Sequence, residues 1–344
     1  MRAISPSRAS HQANASLTAR ETSKRLQPEV SKHSILPAMR THEPTALTNN
    51  ATVDDAIAII VITARTHWSV HEAAARDQQD IEGLHQVRVG LRRFRSALTL
   101  FKSYLPQPQR AWFNDEARWL LNELGPARDL DVFMTDLLPP LLNSKNTKRG
   151  MKSLLETLHI LCGSAHARAR AALVSQRYQR FARHLEAWVT GHGWRSEPGS
   201  NHKDPRTITA KDFAVRVLNK RLIKISASGK RIDQLPVEEL HRLRIAIKKT
   251  RYGIDFFGRL LPKALTLKLA RALKSLQDCL GHLNDLAVAE EIISQLSTVT
   301  PNAITLQQLA TAGALVLSHH RLAADEALRG IAPRWRALRK CGLF

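Results

Sequence analysis

The 344-residue chain contains few cysteines, and none in a pattern that supports sulfur chemistry. Its three cysteines are widely spaced and odd in number, and no C-x-x-C pair occurs. These features exclude a disulfide framework and argue against a thiolate metal site. A reducing compartment therefore fits the sequence best, and we predict a cytoplasmic protein. The three positions are Cys162, Cys279 and Cys341.

Long hydrophobic runs are also missing. The longest unbroken apolar run covers residues 56–62, whereas a membrane-spanning helix needs about 20 apolar residues. The first residues contain no apolar stretch of the kind found in a secretion signal. The sequence therefore predicts neither a membrane partner nor export.

Acidic and aromatic residues are scarce relative to cations. The chain has 52 Lys and Arg against 30 Asp and Glu, which gives a formal net charge of +22. Such an excess causes self-repulsion and favours polyanionic partners such as nucleic acid, anionic membrane or polyphosphate. Aromatic residues account for 5% of the chain, and proteins that bind single-stranded nucleic acid usually place aromatic rings among their cations. The scarcity of rings favours an anion that has no bases to stack.

The usual motifs of phosphate-transferring enzymes are absent. Neither GxxxxGK[ST] nor GxGxxG occurs, and phosphoanhydride chemistry normally needs such a loop or a metal ion held by clustered carboxylates. Asp129 opens a D-x-D sequence and has a counterpart in Asp285, but we interpret both as residues near a helix N-terminus or beside an arginine. His67 and His71 have the spacing of two metalloprotease ligands, but Trp68 occupies the position of the required glutamate. We expect no enzymatic activity, no cofactor and no metal ion.

What the chain does contain is a repeat. Residues 84–101 read LHQVRVGLRRFRSALTLF and residues 240–257 read LHRLRIAIKKTRYGIDFF, which places the second segment 156 positions after the first. The register continues without a gap to an L-G-x-x-x-D sequence at residues 124–129 and again at 280–285. A gapless repeat of this length predicts two copies of one structural unit. The identical pairs in the two segments are Leu84/Leu240, His85/His241, Arg88/Arg244, Arg95/Arg251 and Phe101/Phe257.

Each copy carries two stripes along one predicted helix. At 100° per residue, one stripe is apolar and faces the core, and beside it cations recur at positions i, i+3, i+7 and i+10. These cations lie nearly in line about 5 Å apart, and no acidic residue stands among them to relieve their repulsion. Because the pattern recurs in register, we interpret it as a binding surface and not as a solvated face. The cationic rows are His85, Arg88, Arg92 and Arg95, and His241, Arg244, Lys248 and Arg251; the apolar stripes are Val87, Leu91, Phe94, Leu98 and Phe101, and Leu243, Ile247, Ile254 and Phe257.

Most of the remaining chain has helical spacing, and no stretch alternates with the two-residue period of a strand. The sequence therefore predicts an all-α protein made of two helical bundles. Residues 1–50 are rich in Ser, Thr, Ala, Asn and Pro and carry seven Lys or Arg against three Glu, which indicates a flexible basic arm or a transit peptide. The predicted segments are the arm at 1–50, a first helical half at 51–192, a linker at 193–208, a second helical half at 209–330 and a C-terminal tail at 331–344.

The repeated pattern H-x-x-R-x-x-x-[RK]-[RK]-x-R, followed in both copies by L-G-x-x-x-D, resembles the CHAD family, an α-helical domain named for its histidines. The resemblance covers about residues 50–330. It implies two four-helix-bundle halves related by a pseudo-twofold axis, with basic helices around a central channel. Many relatives also carry a CYTH domain with an E-x-E-x-K signature. That signature is absent from this sequence, which therefore resembles a stand-alone member.

Members of this family bind inorganic polyphosphate, and some bacterial members associate with polyphosphate granules. The resemblance therefore implies a polyphosphate-binding protein without catalytic activity, located in the cytoplasm or on such granules. The motif residues that it assigns to polyphosphate are His85, Arg88, Arg92, Arg93, Arg95, His241, Arg244, Lys248, Lys249 and Arg251. Second-tier candidates, which match between the copies or lie beside the basic face, are Arg65, Arg128, Arg221 and Tyr252.

Arginine and lysine suit this ligand chemically. Arginine offers planar, bidentate contacts to non-bridging phosphate oxygens, and lysine offers a compact charge. Because sequence-independent phosphate contacts also hold nucleic-acid backbones, a protein that binds DNA or RNA at low salt is the alternative prediction.

Overall fold

The computed structural model describes residues 47–77, 80–142, 148–195, 204–299 and 303–344, and within these ranges the regular structure is entirely helical. The predicted all-α class is confirmed. None of the helices in the described ranges is both long and apolar enough to cross a membrane. The helices are α1 Val53–Val70, α2 Glu72–Arg76, α3 Ile81–Leu100, α4 Gln107–Glu123, α5 Gly125–Val132, α6 Pro139–Leu142, α7 Lys148–Val174, α8 Gln176–Thr190, α9 Ala210–Ser228, α10 Val237–Phe257, α11 Lys263–Cys279, α12 Gly281–Val299, α13 Ala303–Arg329 and α14 Ile331–Arg339.

The helix order agrees with the repeat in the sequence. The two motif segments form α3 and α10. Helices α4 and α11 begin at residues 107 and 263, and α5 and α12 begin at 125 and 281, so both pairs start 156 residues apart. The gapless register found in the sequence therefore extends to the starts of these helices.

The first helices of the two copies start side by side. Thr52 caps α1 by accepting a hydrogen bond from the backbone N–H of Asp55 at 3.2 Å, and the Asp55 carboxylate accepts the backbone N–H of Thr52 at 2.8 Å. Thr209 caps α9 in the same way through the backbone N–H of Asp212 at 3.1 Å. Such caps satisfy N–H groups that have no partner inside a helix. The two threonines also form an antiparallel backbone bridge, which ties the starts of α1 and α9 together.

The apolar stripes predicted for α3 and α10 are buried. Every member of the two stripes is at most 2% exposed. The stripes meet where Phe101, just after α3, stacks on Phe213 of α9 at a centroid distance of 5.1 Å and contacts Phe257 of α10 edge-on at 6.1 Å. This aromatic contact joins helices from both copies of the repeat.

A second core is shared by the two copies. Helix α7 packs on α13, and α5 and the π-helical turn Phe133–Leu137 lie in the same cluster of buried residues as α12. Apolar faces of the first copy are therefore covered by helices of the second, so the two predicted helical halves share this part of the core. The buried members are Leu130, Phe133, Leu137, Leu138, Leu141, Met151, Leu154 and Leu158 from the first copy, and Ala289, Ile292, Leu296, Leu309, Ala312 and Val316 from the second.

Two predicted boundaries differ from the structure. The predicted linker includes Trp194, which is fully buried and donates its indole N–H to Asp54 of α1 at 2.7 Å. The predicted C-terminal tail instead contains α14, because Ile331, Trp335 and Leu338 form an apolar face that is at most 4% exposed, and this helix packs against α11. The predicted arm lies outside the described residues except for 47–50.

Candidate functional site

The cationic rows of α3 and α10 come together where the two helices contact each other. Arg92 of α3 lies close enough to α10 for its charge to lower the pKa of both Arg244 and Lys248, although burial is the larger cause in each case. For Lys248, burial together with Arg244 and Arg92 lowers the pKa to about 8. Cations that are separate in the sequence are thus held together in partly buried surroundings. We use "central cluster" for Arg88, Arg92, Arg128, Arg244 and Lys248.

Arg88 and Arg244 occupy equivalent positions and are held in similar ways. Arg88 donates from Nη1 to the backbone oxygen of Leu121 at 2.8 Å, and Arg244 donates from Nη1 to Oδ1 of Asn284 at 2.7 Å. Burial lowers the pKa of Arg88 to about 10 and also lowers that of Arg244. Among the residues that the structure describes, neither Nε atom has a hydrogen-bond partner, although both are buried. A buried donor without a partner costs roughly 1–3 kcal/mol, so the burial of these two Nε–H groups is unfavourable in the free protein.

The L-G-x-x-x-D sequence supplies the next part of the site. Gly125 begins α5 beside Arg88, and a Cβ atom at this position would lie 3.3 Å from Nη1 of Arg88. Arg128, on the first turn of α5, brings its charge near Arg88. Asp129 follows it, and burial raises the pKa of this carboxyl even though Arg88, Arg92 and Arg128 act in the opposite direction. The start of α5 thus supplies one cation of the central cluster, Arg128, and places the Asp129 carboxylate beside that cluster.

The second copy places a carboxylate in the same relation to its cations. Burial raises the pKa of Asp285, while Arg244 and Lys248 act to lower it. We interpreted the two motif aspartates as residues near a helix N-terminus or beside a repeat arginine, and Arg88 and Arg244 are among their electrostatic neighbours. Five cations of the central cluster therefore face two carboxylates, so the positive charge remains in excess.

The two motif histidines lie in different surroundings. His85 is half-buried, and burial together with Arg128, Arg92 and Arg88 lowers its pKa. His241 is exposed and lines a cavity of about 380 Å³, together with Arg244 and Asp129. The wall of this cavity is built by residues from both copies, because α5 contributes one side and α10 and α12 contribute the other. The equivalence of the histidines in sequence therefore does not extend to their environment.

The remaining motif cations are distributed around the central cluster. Arg93 lies over the ring of Phe256 with its guanidinium carbon 5.4 Å from the centroid. Arg95 donates from Nε to Oδ1 of Asn114 at 3.0 Å. In the second copy, Arg251 donates from Nη1 to Oε1 of Gln277, also at 3.0 Å. These side chains contact neighbours on α4, α10 and α11, and the charge of Arg251 also reaches Lys248 of the central cluster.

Lys249 faces a separate surface, which we call the side groove. It lines a cavity of about 470 Å³ with Arg221 and Lys224 of α9. Arg221 donates from Nη1 to the backbone oxygen of Lys249 at 2.6 Å, and burial lowers the pKa of Arg221 to about 10. The charge of Arg95 also reaches Lys249. Sequence analysis missed Lys224, although its position three residues after Arg221 on one helix was a usable signal.

The second-tier candidates are placed differently from one another. Arg65 is 9% exposed, forms an ion pair with Glu72 at 2.9 Å and lies 5.3 Å from the ring centroid of Trp68. It therefore joins α1 to α2 and is not part of the central cluster. Arg128 belongs to the central cluster and Arg221 to the side groove, whereas Tyr252 is half-buried on α10.

These features define an all-helical protein in which repeated helices bring their cations to a common site. The family profile described as "CHAD domain" matches residues 60–294. The chain therefore belongs to the CHAD family, as the resemblance predicted. In the crystal structure of the CHAD domain from the plant Ricinus communis, 31% of aligned residues are identical and the TM-score is 0.72, with 88% of this chain and 98% of that chain covered.

Two curated proteins and a further solved structure are also similar to this chain. The uncharacterized proteins MT2285 and Rv2226 of two Mycobacterium tuberculosis strains are 29% identical over 224 residues, which is 62% of this chain. The chain spans 40% of the length of these curated relatives. The structure of PptA from Streptomyces chartreusis shares the fold with a TM-score of 0.56 and 16% identity, and the match covers 81% of this chain and all of that one.

Proposed function

We propose that this protein binds inorganic polyphosphate through the central cluster. The observation that carries the proposal is the meeting of Arg92, Arg244 and Lys248, in which burial and mutual repulsion lower the pKa of the lysine to about 8. Such a cluster destabilises the free protein, and a polyanion replaces that repulsion by attraction. A linear polyphosphate fits this chemistry because it offers many non-bridging oxygens to guanidinium and ammonium groups.

The two copies of the repeat contribute jointly to the proposed site. Helices α3 and α5 come from the first copy, and α10 and α12 come from the second. We interpret the copies as products of an internal duplication, with the cations of α3 and α10 lining a basic channel. The side groove around Lys249 extends the binding surface for a polyphosphate that is longer than the central cluster.

In this proposal the protein holds polyphosphate without hydrolysing it, in the cytoplasm or on polyphosphate granules. Membership of the CHAD family supports the ligand class. The cations of the central cluster are suited to binding, and the two nearby carboxylates have raised pKa values. The cations beside Asp129 and Asp285 repel the metal ions that phosphoanhydride chemistry normally uses.

Competition binding tests the proposed ligand against the nucleic-acid alternative. Labelled long-chain polyphosphate is bound to the protein at one salt concentration and displaced by unlabelled polyphosphate, DNA, RNA or ATP. We expect polyphosphate to be the strongest competitor per phosphate, because the site offers cations but few exposed rings for stacking bases. Stronger competition by DNA or RNA would instead identify a nucleic-acid-binding protein, and release of free phosphate would contradict the non-catalytic role.

The affinity for polyphosphate should also depend on pH. Bound phosphate favours the charged forms of Lys248 and His85, whose pKa values are lowered in the free protein. Binding therefore takes up protons, and affinity should fall as pH rises from about 7 to about 9, across the pKa of Lys248. Isothermal titration in two buffers of different ionisation enthalpy measures this uptake. The Lys248→Arg variant retains its charge over this range, so it should weaken the dependence, and an unchanged profile would show that Lys248 does not contact the ligand.

A further inference from the structure

A second group of reactive side chains, none of them a member of the central cluster, lies between α5 and α7. Asp131 is on the last turn of α5, and Cys162 and His166 are four residues apart on α7. The Nε2 atom of His166 is 2.8 Å from Oδ1 of Asp131, and Sγ of Cys162 is 3.8 Å from the same oxygen. One potential ligand atom from each residue lies within 4.8 Å of the other two. Three different donor types thus converge on one point.

The carboxylate of this group is buried with part of its bonding capacity unused. Asp131 and His166 are each 3% exposed. Within the described part of the chain, Oδ2 of Asp131 has no hydrogen-bond partner. The surroundings are apolar, since Leu130 and Phe133 on either side of this segment belong to the core shared by the two copies. A buried carboxylate oxygen without a partner is costly and calls for a cation or a donor at that point.

We propose that Asp131, Cys162 and His166 form a binding site for a divalent transition-metal ion of the zinc class. Zinc binds thiolate sulfur at about 2.3 Å, imidazole nitrogen at about 2.0–2.1 Å and carboxylate oxygen at about 2.0–2.2 Å. In a tetrahedron of these bond lengths, neighbouring ligand atoms lie roughly 3.3–3.8 Å apart. Two of the distances in this group are 2.8 and 3.8 Å and all three atoms lie within 4.8 Å of one another, so small side-chain shifts would bring them to this geometry.

The donor set also selects the class of ion. A thiolate and an imidazole favour zinc, cobalt or copper, whereas calcium and magnesium prefer sites made of oxygen atoms alone. The i,i+4 spacing of Cys162 and His166 places both side chains on the same face of α7. Asp131 then closes the site from α5, so a bound ion would hold together two helices of the first copy. Three protein ligands leave a fourth position for water or another donor.

The competing explanation is an ion pair without metal. Hydrogen bonds from the His166 ring to Asp131 and Cys162 raise the pKa of His166 to about 9, so the imidazole is protonated near neutral pH when no ion is present. This pair occupies Oδ1 of Asp131 but leaves Oδ2 without a partner. A metal ion entering the site must displace the imidazolium proton and the thiol proton. The two explanations therefore differ in whether the thiol of Cys162 ionises.

Cobalt(II) titration of the full chain distinguishes these explanations, because cobalt bound to a thiolate gives a ligand-to-metal charge-transfer absorption that imidazole or carboxylate ligation does not. After removal of metal by a chelator, we expect wild-type protein to take up one equivalent of cobalt with this absorption, and zinc to displace it. The absorption should be lost in Cys162→Ser and in His166→Gln. It should persist in Cys279→Ser, a control in which a free cysteine outside the proposed site is replaced.

The chain has 15 histidines, so binding elsewhere must be separated from binding at this site. His67 and His71, whose rings lie 5.3 Å apart, are the obvious competing pair, and His67→Gln should leave the cobalt spectrum unchanged. Circular dichroism establishes that each variant is folded. The proposal is overturned if folded wild-type protein shows no thiolate absorption with cobalt, or if the absorption survives in Cys162→Ser. The first of these results uses wild-type protein alone, so it does not depend on the folding of any variant.

Discussion

The affinity for polyphosphate should fall by roughly 10³–10⁵-fold between about 50 and 200 mM salt, if the ligand makes six to ten phosphate contacts as in comparable DNA complexes. The physical reason is the release of counterions from the polyanion, which is less favourable when the bulk solution already contains many ions. The central cluster and the side groove together provide enough cations for contacts of this number. Fluorescence anisotropy with labelled polyphosphate at several salt concentrations gives the slope. A flat dependence would contradict binding through the central cluster.

Removing two charges from the central cluster should reduce both the affinity and this slope. In Arg92→Gln combined with Lys248→Met, two phosphate contacts are lost, so the slope should decrease by about 1.5 on a double logarithmic plot. The matched control is Arg183→Gln combined with Lys152→Met, which removes the same charges at exposed positions of α8 and α7. The control should bind with nearly the wild-type slope. Equal losses in both variants would mean that only the net charge of the protein matters.

Removal of the Lys248 charge should stabilise the free protein, although it weakens the binding of polyphosphate. Folding lowers the pKa of Lys248 from the usual 10.5 to about 8, so its charged form destabilises the folded state fully below about pH 8. That penalty fades as pH rises from about 8 to 10.5, where the lysine is neutral in the folded protein but charged in the unfolded chain. Since one unit of pKa corresponds to about 1.4 kcal/mol, Lys248→Met should raise the free energy of unfolding at neutral pH by on the order of 1–3 kcal/mol. Urea denaturation that shows lower stability would indicate a structural role for the lysine.

Phe101→Ala should lower the free energy of unfolding by about 3–5 kcal/mol, as expected when a large buried ring is deleted. Phe101 is 1% exposed and contacts Phe213 of α9 and Phe257 of α10. Its loss creates a cavity where helices of the two copies meet, and the surrounding rings are themselves too tightly packed to fill it. Urea denaturation followed by circular dichroism measures the change.

Leu322→Ala on α13 is the control for this experiment. Its side chain is 66% exposed, so the substitution should change the free energy of unfolding by about 0.5 kcal/mol or less. A loss below about 1 kcal/mol for Phe101→Ala would show that the contact between α3, α9 and α10 relaxes easily. In that case the two copies would be joined mainly through the core around α7 and α13.

The periodicity of the sequence determined which face of each motif helix is buried. Val87 and Leu91 on α3, and Leu243 and Ile247 on α10, were assigned to apolar stripes, and all four are at most 2% exposed. This succeeds because burial along a single helix depends on the 3.6-residue period, which is a local property of the chain. The register of the repeat also holds at the starts of α4 and α11, which lie 156 residues apart in the structure. The doubled motif was also sufficient to predict membership of the CHAD family.

The hydrophobic periodicity of a single helix does not determine which other helices pack against it. Lys248 and Lys249 are adjacent motif cations in the sequence, yet Lys248 lies beside Arg92 in the central cluster, whereas Lys249 lies in the side groove with Arg221. Consecutive residues on a helix point about 100° apart, and the crossing of α3 and α10 decides which direction meets other cations. Arg65 also matches Arg221 in the register of the repeat, but it forms a partly buried ion pair with Glu72.

Only the tertiary structure decided how the two copies are joined. A repeat in the sequence shows that each copy has apolar faces, but it does not say which surface covers them. Here α7 of the first copy packs on α13 of the second. The segment predicted as a C-terminal tail forms α14, whose Trp335 is buried. The reason is physical: burial of apolar surface is non-directional, so a face is satisfied by any complementary face within reach of the chain. Its partner is set by the packing of the whole molecule and not by the residues nearby in sequence.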